Sequence, residues 1–162
     1  MPRTILDVSR WQGSINWDKV KASGLVSGVM IRAMGNSKEG KRSKPYIDPY
    51  FARNYAECTR LGIPVGVYGY FKATTKAQAD KELALFKQAL GGRAFQLPVA
   101  VDIEDKLQAA LSKSAPDWAF GMWQYTSSGK IPGIAKGADL SVAYKDYAAI
   151  IQRKGLGKVK GE

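Results

Sequence analysis

The sequence Leu97-Pro98-Val99-Ala100-Val101-Asp102-Ile103-Glu104-Asp105 is an apolar run that ends in three carboxylates, two of them spaced two residues apart. Side chains alternate along a strand, so Asp102 and Glu104 would point to one side with backbones roughly 6.6 Å apart, at about 3.3 Å per residue. Two carboxyls sharing one site resist joint ionisation. At least one pKa rises, and a carboxyl kept protonated near neutrality can serve as a general acid. The plainer alternative is a strand end with solvated acids, in a chain rich in Arg and Lys partners for structural ion pairs. Histidine is absent and Cys58 is the single cysteine, which excludes a His-based triad, a Cys/His zinc site and an intramolecular disulfide. Any catalysis should therefore run on carboxylates, with no metal and no cofactor.

The elements that must position these acids follow from pattern. Residues 99–103 read as a strand buried on both faces, because a continuous β-branched apolar run fits a covered parallel strand. Residues 4–9 form a short strand that ends in the polar and aromatic stretch Asp7-Val8-Ser9-Arg10-Trp11-Gln12-Gly13. Asn16 caps a helix over 17–23 that Gly24 stops. A second strand covers 28–33 with Arg32 near its end, and a long basic loop with Lys38, Lys41, Arg42 and Lys44 follows. Asp48-Pro49 then opens a helix as N-cap and first helical residue, with Phe51, Tyr55 and Cys58 at helical spacing. Cys58 reads as a small buried residue.

A third strand runs through Val65-Gly66-Val67-Tyr68-Gly69-Tyr70, its small glycines leaving room beside Tyr68 and Tyr70. A helix over 76–90 places Ala79, Leu83, Phe86 and Leu90 along one face and ends at Gly91-Gly92. Repeated strand, helix, strand predicts an α/β parallel sheet, and Asp7, Arg32, Tyr68 with Tyr70, and Asp102 with Glu104 all fall at strand C-termini, the edge where such sheets carry their sites. Beyond Glu104 the pattern loosens. Two helical turns are expected over 107–113, a strand over 120–125, a brief strand over 138–140 and a closing helix over 144–153.

At 162 residues the chain fits one catalytic domain over 1–155, with a flexible basic tail over 156–162. The net charge of +11 favours polyanionic partners, whether nucleic acid, an anionic membrane surface or a cell-wall polymer. No stretch approaches the roughly 20 apolar residues of a membrane span, and the N-terminus lacks the apolar core of a signal peptide. These features predict a soluble protein made in the cytoplasm, without membrane insertion.

Taken together, Asp7-Val8-Ser9 with Gln12-Gly13, Val67-Tyr68, Asp102-Ile103-Glu104, Trp123-Gln124-Tyr125-Thr126-Ser127-Ser128-Gly129 and Gly137-Ala138-Asp139-Leu140 resemble glycoside hydrolase family 25, the Chalaropsis-type muramidases of bacterial autolysins and phage endolysins. The resemblance implies an irregular, TIM-like β/α barrel that cleaves the β-1,4 bond between N-acetylmuramic acid and N-acetylglucosamine in peptidoglycan. By the match of motifs, Glu104 is the proton donor and Asp102 its partner. Asp7 and Asp139 complete the acidic groove, while Tyr68, Trp123, Gln124 and Tyr125 line the sugar subsites. Arg32 would pair with one acid, and Tyr70 would join the aromatic lining; core packing is the other reading of Tyr70 and Trp123.

The family normally inserts two further strand-helix units between the Asp-x-Glu strand and the Trp-Gln-Tyr strand, whereas here residues 105–119 alone join them. A shortened or open barrel is therefore expected, either with the Asp102 strand paired directly to the 120–125 strand or with a second chain filling the gap. The expected activity is that of a phage-type lysin acting on bacterial peptidoglycan as a monomer, with anionic wall polymers as further partners. A catalytically weak peptidoglycan-binding remnant is the alternative. Specific nucleic-acid binding is not expected, because no recognisable motif accompanies the charge.

Overall fold

The computed structural model describes residues 3–39, 42–73, 75–102, 122–143 and 146–153. The expected helix over 107–113, Glu104 and the tail over 156–162 lie outside the described residues. The elements are β1 (Arg3–Val8), a 3₁₀ turn (Arg10–Gln12), α1 (Trp17–Ala22), β2 (Gly28–Glu39), β3 (Arg42–Ile47), α2 (Phe51–Arg60), β4 (Val65–Tyr70), α3 (Lys76–Leu90), β5 (Val99–Asp102), β6 (Met122–Gly129), β7 (Ala138–Ala143) and α4 (Tyr147–Arg153).

One sheet holds all seven strands in the order β5-β4-β2-β1-β7-β6, with β3 paired to β2. β1, β2, β4 and β5 run parallel, as expected, while β7 is antiparallel to both β1 and β6. The reason is connection length. Only residues 130–137 join β6 to β7, fewer than the dozen or so that a parallel crossover needs. Among the described residues the sheet is unclosed, with β5 at one end and β6 at the other. The expected pairing of the Asp102 strand with the 120–125 strand is thereby corrected, and the architecture is mixed α/β rather than an all-parallel barrel.

The sheet has two unlike faces because side chains alternate along each strand. Leu6, Val8, Val29, Ile31, Val65, Val67 and Leu140 point to the side where the helices pack, joining Trp17, Val20, Phe51, Cys58 and Phe86 in the main core. Trp17 is fully buried, and its indole N–H donates to buried Asn54 Oδ1 at 3.1 Å, so this large ring leaves no unpaired donor. On the opposite face Ile5, Met30 and Leu97 form a smaller cluster, with Tyr68, Ala100 and Tyr147 of α4 packed against it. This plug closes the lower half of that face. Gly66 belongs to it: a Cβ there would meet Met30 Sδ, Leu97 Cβ and the Pro98 carbonyl, so the glycine accommodates close packing rather than open space beside the tyrosines.

Four local expectations are corrected. The basic loop after residue 33 is instead a β-hairpin, in register from Met34↔Ile47 to Glu39↔Arg42; its polar residues hide the strand pattern. Asp48 is not a helix N-cap: α2 starts at Phe51 after Tyr50, and Asp48 is spent on a buried ion pair. In α3 the buried residues are Glu82, Phe86 and Ala89, while Leu83 is exposed. Glu82 tolerates burial because its carboxylate accepts the backbone N–H groups of Lys72 and Ala73, at 3.1 and 3.2 Å, and the Asn36 amide at 3.2 Å. Finally, β5 is an end strand with Val99 and Val101 53% and 55% exposed, because among the described residues no helix covers their side.

These burial differences fix how substitutions should behave. Ile31→Ala, in the fully buried β2 core, should cost about 2–5 kcal/mol. Val101→Thr should stay within about 0.5 kcal/mol. Urea unfolding of both variants reads the contrast directly.

Candidate active site

The upper half of the inner sheet face opens into a cleft of about 740 Å³ lined by Asp7, Arg32, Tyr68, Tyr70, Asp102 and Asp139, together with Ser9, Arg10, Trp11, Gln12, Asn36, Tyr46 and Ser127. Strand register explains the convergence. Asp7 of β1 stands directly opposite Asp139 of β7, Arg32 of β2 neighbours Tyr68 of β4, and Tyr70 neighbours Asp102 of β5. Directly opposed residues of an antiparallel pair hold their Cβ atoms about 4.5–5.5 Å apart. Two acids therefore face each other across β1 and β7.

That crowding acts on Asp7. Burial raises its pKa from 3.8 to about 8, the Tyr68 hydroxyl donated to it and the Arg32 charge pull the other way, and the charges of Asp139 and Asp102 add to the rise. Near neutral pH this carboxyl holds its proton, which leaves it able to donate. Tyr68 is pushed upward in turn, by its own burial first and then by Asp7, so it remains a hydroxyl donor.

Arg32 is 7% exposed and does not pair with a cleft acid, as the sequence suggested, but with Asp48 behind the cleft wall. Its Nε donates to Asp48 Oδ2 at 2.9 Å, and a terminal guanidinium nitrogen lies 2.8 Å from the same oxygen. Asp48 also accepts the backbone N–H groups of Arg10 and Tyr50, each at 3.0 Å. On the β4 side, the Asn36 amide donates to the Tyr70 carbonyl at 2.7 Å, and the Phe71 N–H donates to the Asp102 carbonyl at 3.0 Å. These bonds lock β2, β4 and β5 together at the level of the acids.

Of the residues expected in the site, the structure brings together Asp7, Asp102, Asp139, Arg32, Tyr68 and Tyr70. Trp123, Gln124 and Tyr125 lie on β6, but their side chains, like Glu104, fall outside the described residues. Sequence reasoning missed Arg10, Asn36 and Tyr46 in the lining and Asp48 and Glu82 behind it. Tyr46 and Asn36 were hidden by the misread hairpin, and a buried Asp48 has no local signature distinct from a helix cap. Among the described residues no cluster of acids, cysteine or histidine suits a metal ion.

A sheet that gathers polar and aromatic side chains at the C-terminal ends of its parallel strands carries them at the edge where α/β enzymes build their sites. The chain belongs to the glycosyl hydrolases family 25, whose model matches residues 6–119. It is 33% identical over 137 residues to the uncharacterized protein YegX of Escherichia coli (strain K12), covering 82% of this chain and 47% of that one. With Lysozyme M1 of Streptomyces globisporus it shares 36% identity over 112 residues, 65% of this chain and 34% of the relative. The chain thus spans about half the length of YegX and a third of Lysozyme M1. The catalytic domain of endolysin ply40, from bacteriophage P40 of Listeria monocytogenes, shares the fold at a TM-score of 0.72 and 16% identity, over 94% of this chain and 98% of that domain.

The Asp7 environment makes stability depend on pH in one direction. Between its ordinary value of 3.8 and about 8, the folded chain retains a proton that the unfolded chain has lost. The contribution of Asp7 is therefore complete below pH 4 and falls as pH rises through that window, at up to about 1.4 kcal/mol per unit. Asp7→Asn should gain stability relative to the unsubstituted chain between pH 5 and 7.5, as read by denaturant unfolding at each pH.

Proposed function

We propose that this chain is a peptidoglycan hydrolase, an N-acetylmuramidase that cleaves the β-1,4 bond between N-acetylmuramic acid and N-acetylglucosamine. The observation that carries the reading is the convergence of Asp7, Asp102 and Asp139 with Tyr68 and Tyr70 in one cleft. Membership of the family and the names of its lysozyme and endolysin relatives support it. Cleavage through an oxocarbenium-like transition state needs a protonated acid at the leaving oxygen and negative charge beside the sugar ring.

In this reading Glu104, two residues beyond Asp102 in sequence, delivers the proton. Asp102 is its partner, and Asp139 adds negative charge across the cleft. Asp7 remains neutral near pH 7 and, bonded to Tyr68, holds a hydrogen bond to the sugar or the attacking group. Arg32, fixed by Asp48, keeps a positive charge near the acids and limits their mutual repulsion, while Tyr70, Trp123, Gln124 and Tyr125 contact the glycan.

A second reading, a catalytically weak wall-binding remnant, is favoured by one observation: β5, which carries Asp102, is an end strand with exposed valines. Turnover of purified walls separates the two, with new reducing muramic acid ends identified by mass spectrometry. Glu104→Gln should lower turnover by roughly 10²–10⁴-fold with the fold retained, since an amide keeps the shape but delivers no proton. Near-normal turnover in that variant would remove Glu104 from the mechanism, and an unimpaired Asp102→Asn would remove the paired-carboxyl scheme. With a net charge of +11, association with anionic walls should weaken as salt rises past about 0.15 M, where screening reaches about 8 Å; sedimentation with intact walls measures this.

A further inference from the structure

Trp11 is the most exposed large apolar side chain among the described residues, at 61%, and it stands on the rim of the acidic cleft. A single exposed apolar side chain is ordinary on a protein surface, and what sets Trp11 apart is its place on the cleft rim and the way it is held there. Its backbone is held firmly. The Trp11 N–H donates to Ser9 Oγ at 3.3 Å and the Ser9 N–H to Gln12 Oε1 at 2.8 Å, which closes a capping box around the 3₁₀ turn. The Arg10 N–H is tied to Asp48, and Gln12 Nε2 donates to the Gly137 carbonyl at 3.3 Å, so the turn is fastened on both sides of the cleft.

The ring is held as well. The Arg10 guanidinium lies 5.0 Å from the Trp11 ring centre and 4.6 Å from that of Tyr46, whose ring lies 6.0 Å from the Arg32 guanidinium. Cations and rings alternate from the solvent rim inward to the arginine beside the acids. Each contact is favourable through the ring quadrupole. A ring so anchored loses little further freedom on binding, the condition under which an aromatic surface contributes most to affinity.

We propose that Trp11, steadied by Arg10 and Tyr46, is a platform for a pyranose ring of the glycan outside the pair of sugars joined by the bond that is cut. Resting on the hydrolase reading above, this assigns the rim a distinct subsite. A hexosamine ring has one face of C–H groups that stacks on an indole and an edge of hydroxyl and acetamido groups that suits the polar cleft beside it. A lipid or an apolar peptide would need a broader apolar surface than one indole. Trp11 follows Asp7 by four residues, past the end of β1, so it stands on the rim whereas the acids form the floor.

Two measurements test the assignment on the full chain. In steady-state hydrolysis of glycan strands of increasing length, Trp11→Ala should raise KM progressively with length, by ten-fold or more on long strands, and Trp11→Phe should recover part of the loss. A KM that does not change with Trp11→Ala, or a loss confined to kcat and independent of length, would overturn the platform. Calorimetric binding of an N-acetylglucosamine hexamer to the Glu104→Gln protein, with and without Trp11→Ala, supplies a readout that does not require turnover. At least ten-fold weaker binding with Trp11→Ala is expected, and equal binding would overturn the proposal. If the unsubstituted chain hydrolyses no wall glycan yet Trp11→Ala still weakens hexamer binding, the hydrolase reading fails and the platform stands. An unchanged melting temperature in Trp11→Ala shows that any loss is one of binding and not of folding.

Discussion

The buried ion pair between Arg32 and Asp48 is the contact on which the rest of the site depends. Taking two charges out of water is expensive, and their attraction offsets the cost only when geometry is good and the remaining polar atoms are bonded. The carboxylate meets those terms, since besides the guanidinium it accepts N–H groups from Arg10 and Tyr50, whereas the buried Arg32 Nη2 approaches it at 2.8 Å without an aligned hydrogen bond. One carboxylate therefore joins the end of the parallel part of β2, the 3₁₀ turn after β1 and the entrance to α2. Removing either partner alone would strand the other charge in the interior, a loss typically of about 3–5 kcal/mol. The same oxygen, Asp48 Oδ2, that holds Arg32 also seats the turn that carries Trp11.

With Arg32 held in place, the acidic floor becomes tolerable. Asp7 and Asp139 oppose each other across an antiparallel pair, an arrangement that destabilises a sheet when both residues are charged. The structure relieves it by two means. Burial keeps Asp7 protonated near neutrality, so one charge of the pair is absent, and Tyr68 and Arg32 supply a donor and a counter-charge. What would be a defect in a structural sheet becomes a carboxyl that carries a proton near neutral pH, beside others positioned to hold negative charge.

Much of this was legible in the sequence. The parallel core β1, β2, β4 and β5, the Asn16 cap and the span of α3 to Gly91 followed from apolar periodicity and stop signals, because these are short-range effects. Four successive strands ending in polar residues also pointed to the cleft edge. What pattern could not reveal was set by tertiary partners. The β2–β3 hairpin is made of polar residues whose pairing is visible only in backbone hydrogen bonds, and Glu82 occupies a core position that hydrophobicity assigns to Leu83 because backbone N–H groups converge on it. Asp48 has the sequence context of a helix cap and the environment of a buried ion. The antiparallel course of β7 is a consequence of an eight-residue connection, a length that the sequence did contain.

The sheet's curvature completes the site. Asp102 stands three strands from Asp7 in the order β5-β4-β2-β1, which in a flat sheet would separate their backbones by roughly 14 Å at about 4.8 Å per strand. Yet Asp102 lines the same cleft and its charge contributes to the raised pKa of Asp7. Strands that coil around the inner face, as right-handed twist favours, bring the two closer, and the bulge between Arg32 and Met34, where β2 gains a residue on β4, adds bend where Arg32 enters the cleft. Closure into a complete barrel is one way to impose such curvature. An unclosed sheet can hold it too, provided its inner face is plugged below by Ile5, Met30 and Leu97 and tied above by the Asn36 bonds to Tyr70 and Glu82. What the acids require of the fold is a bend steep enough to bring β5 and β1 to one cavity, and the described strands supply it without pairing β5 to β6.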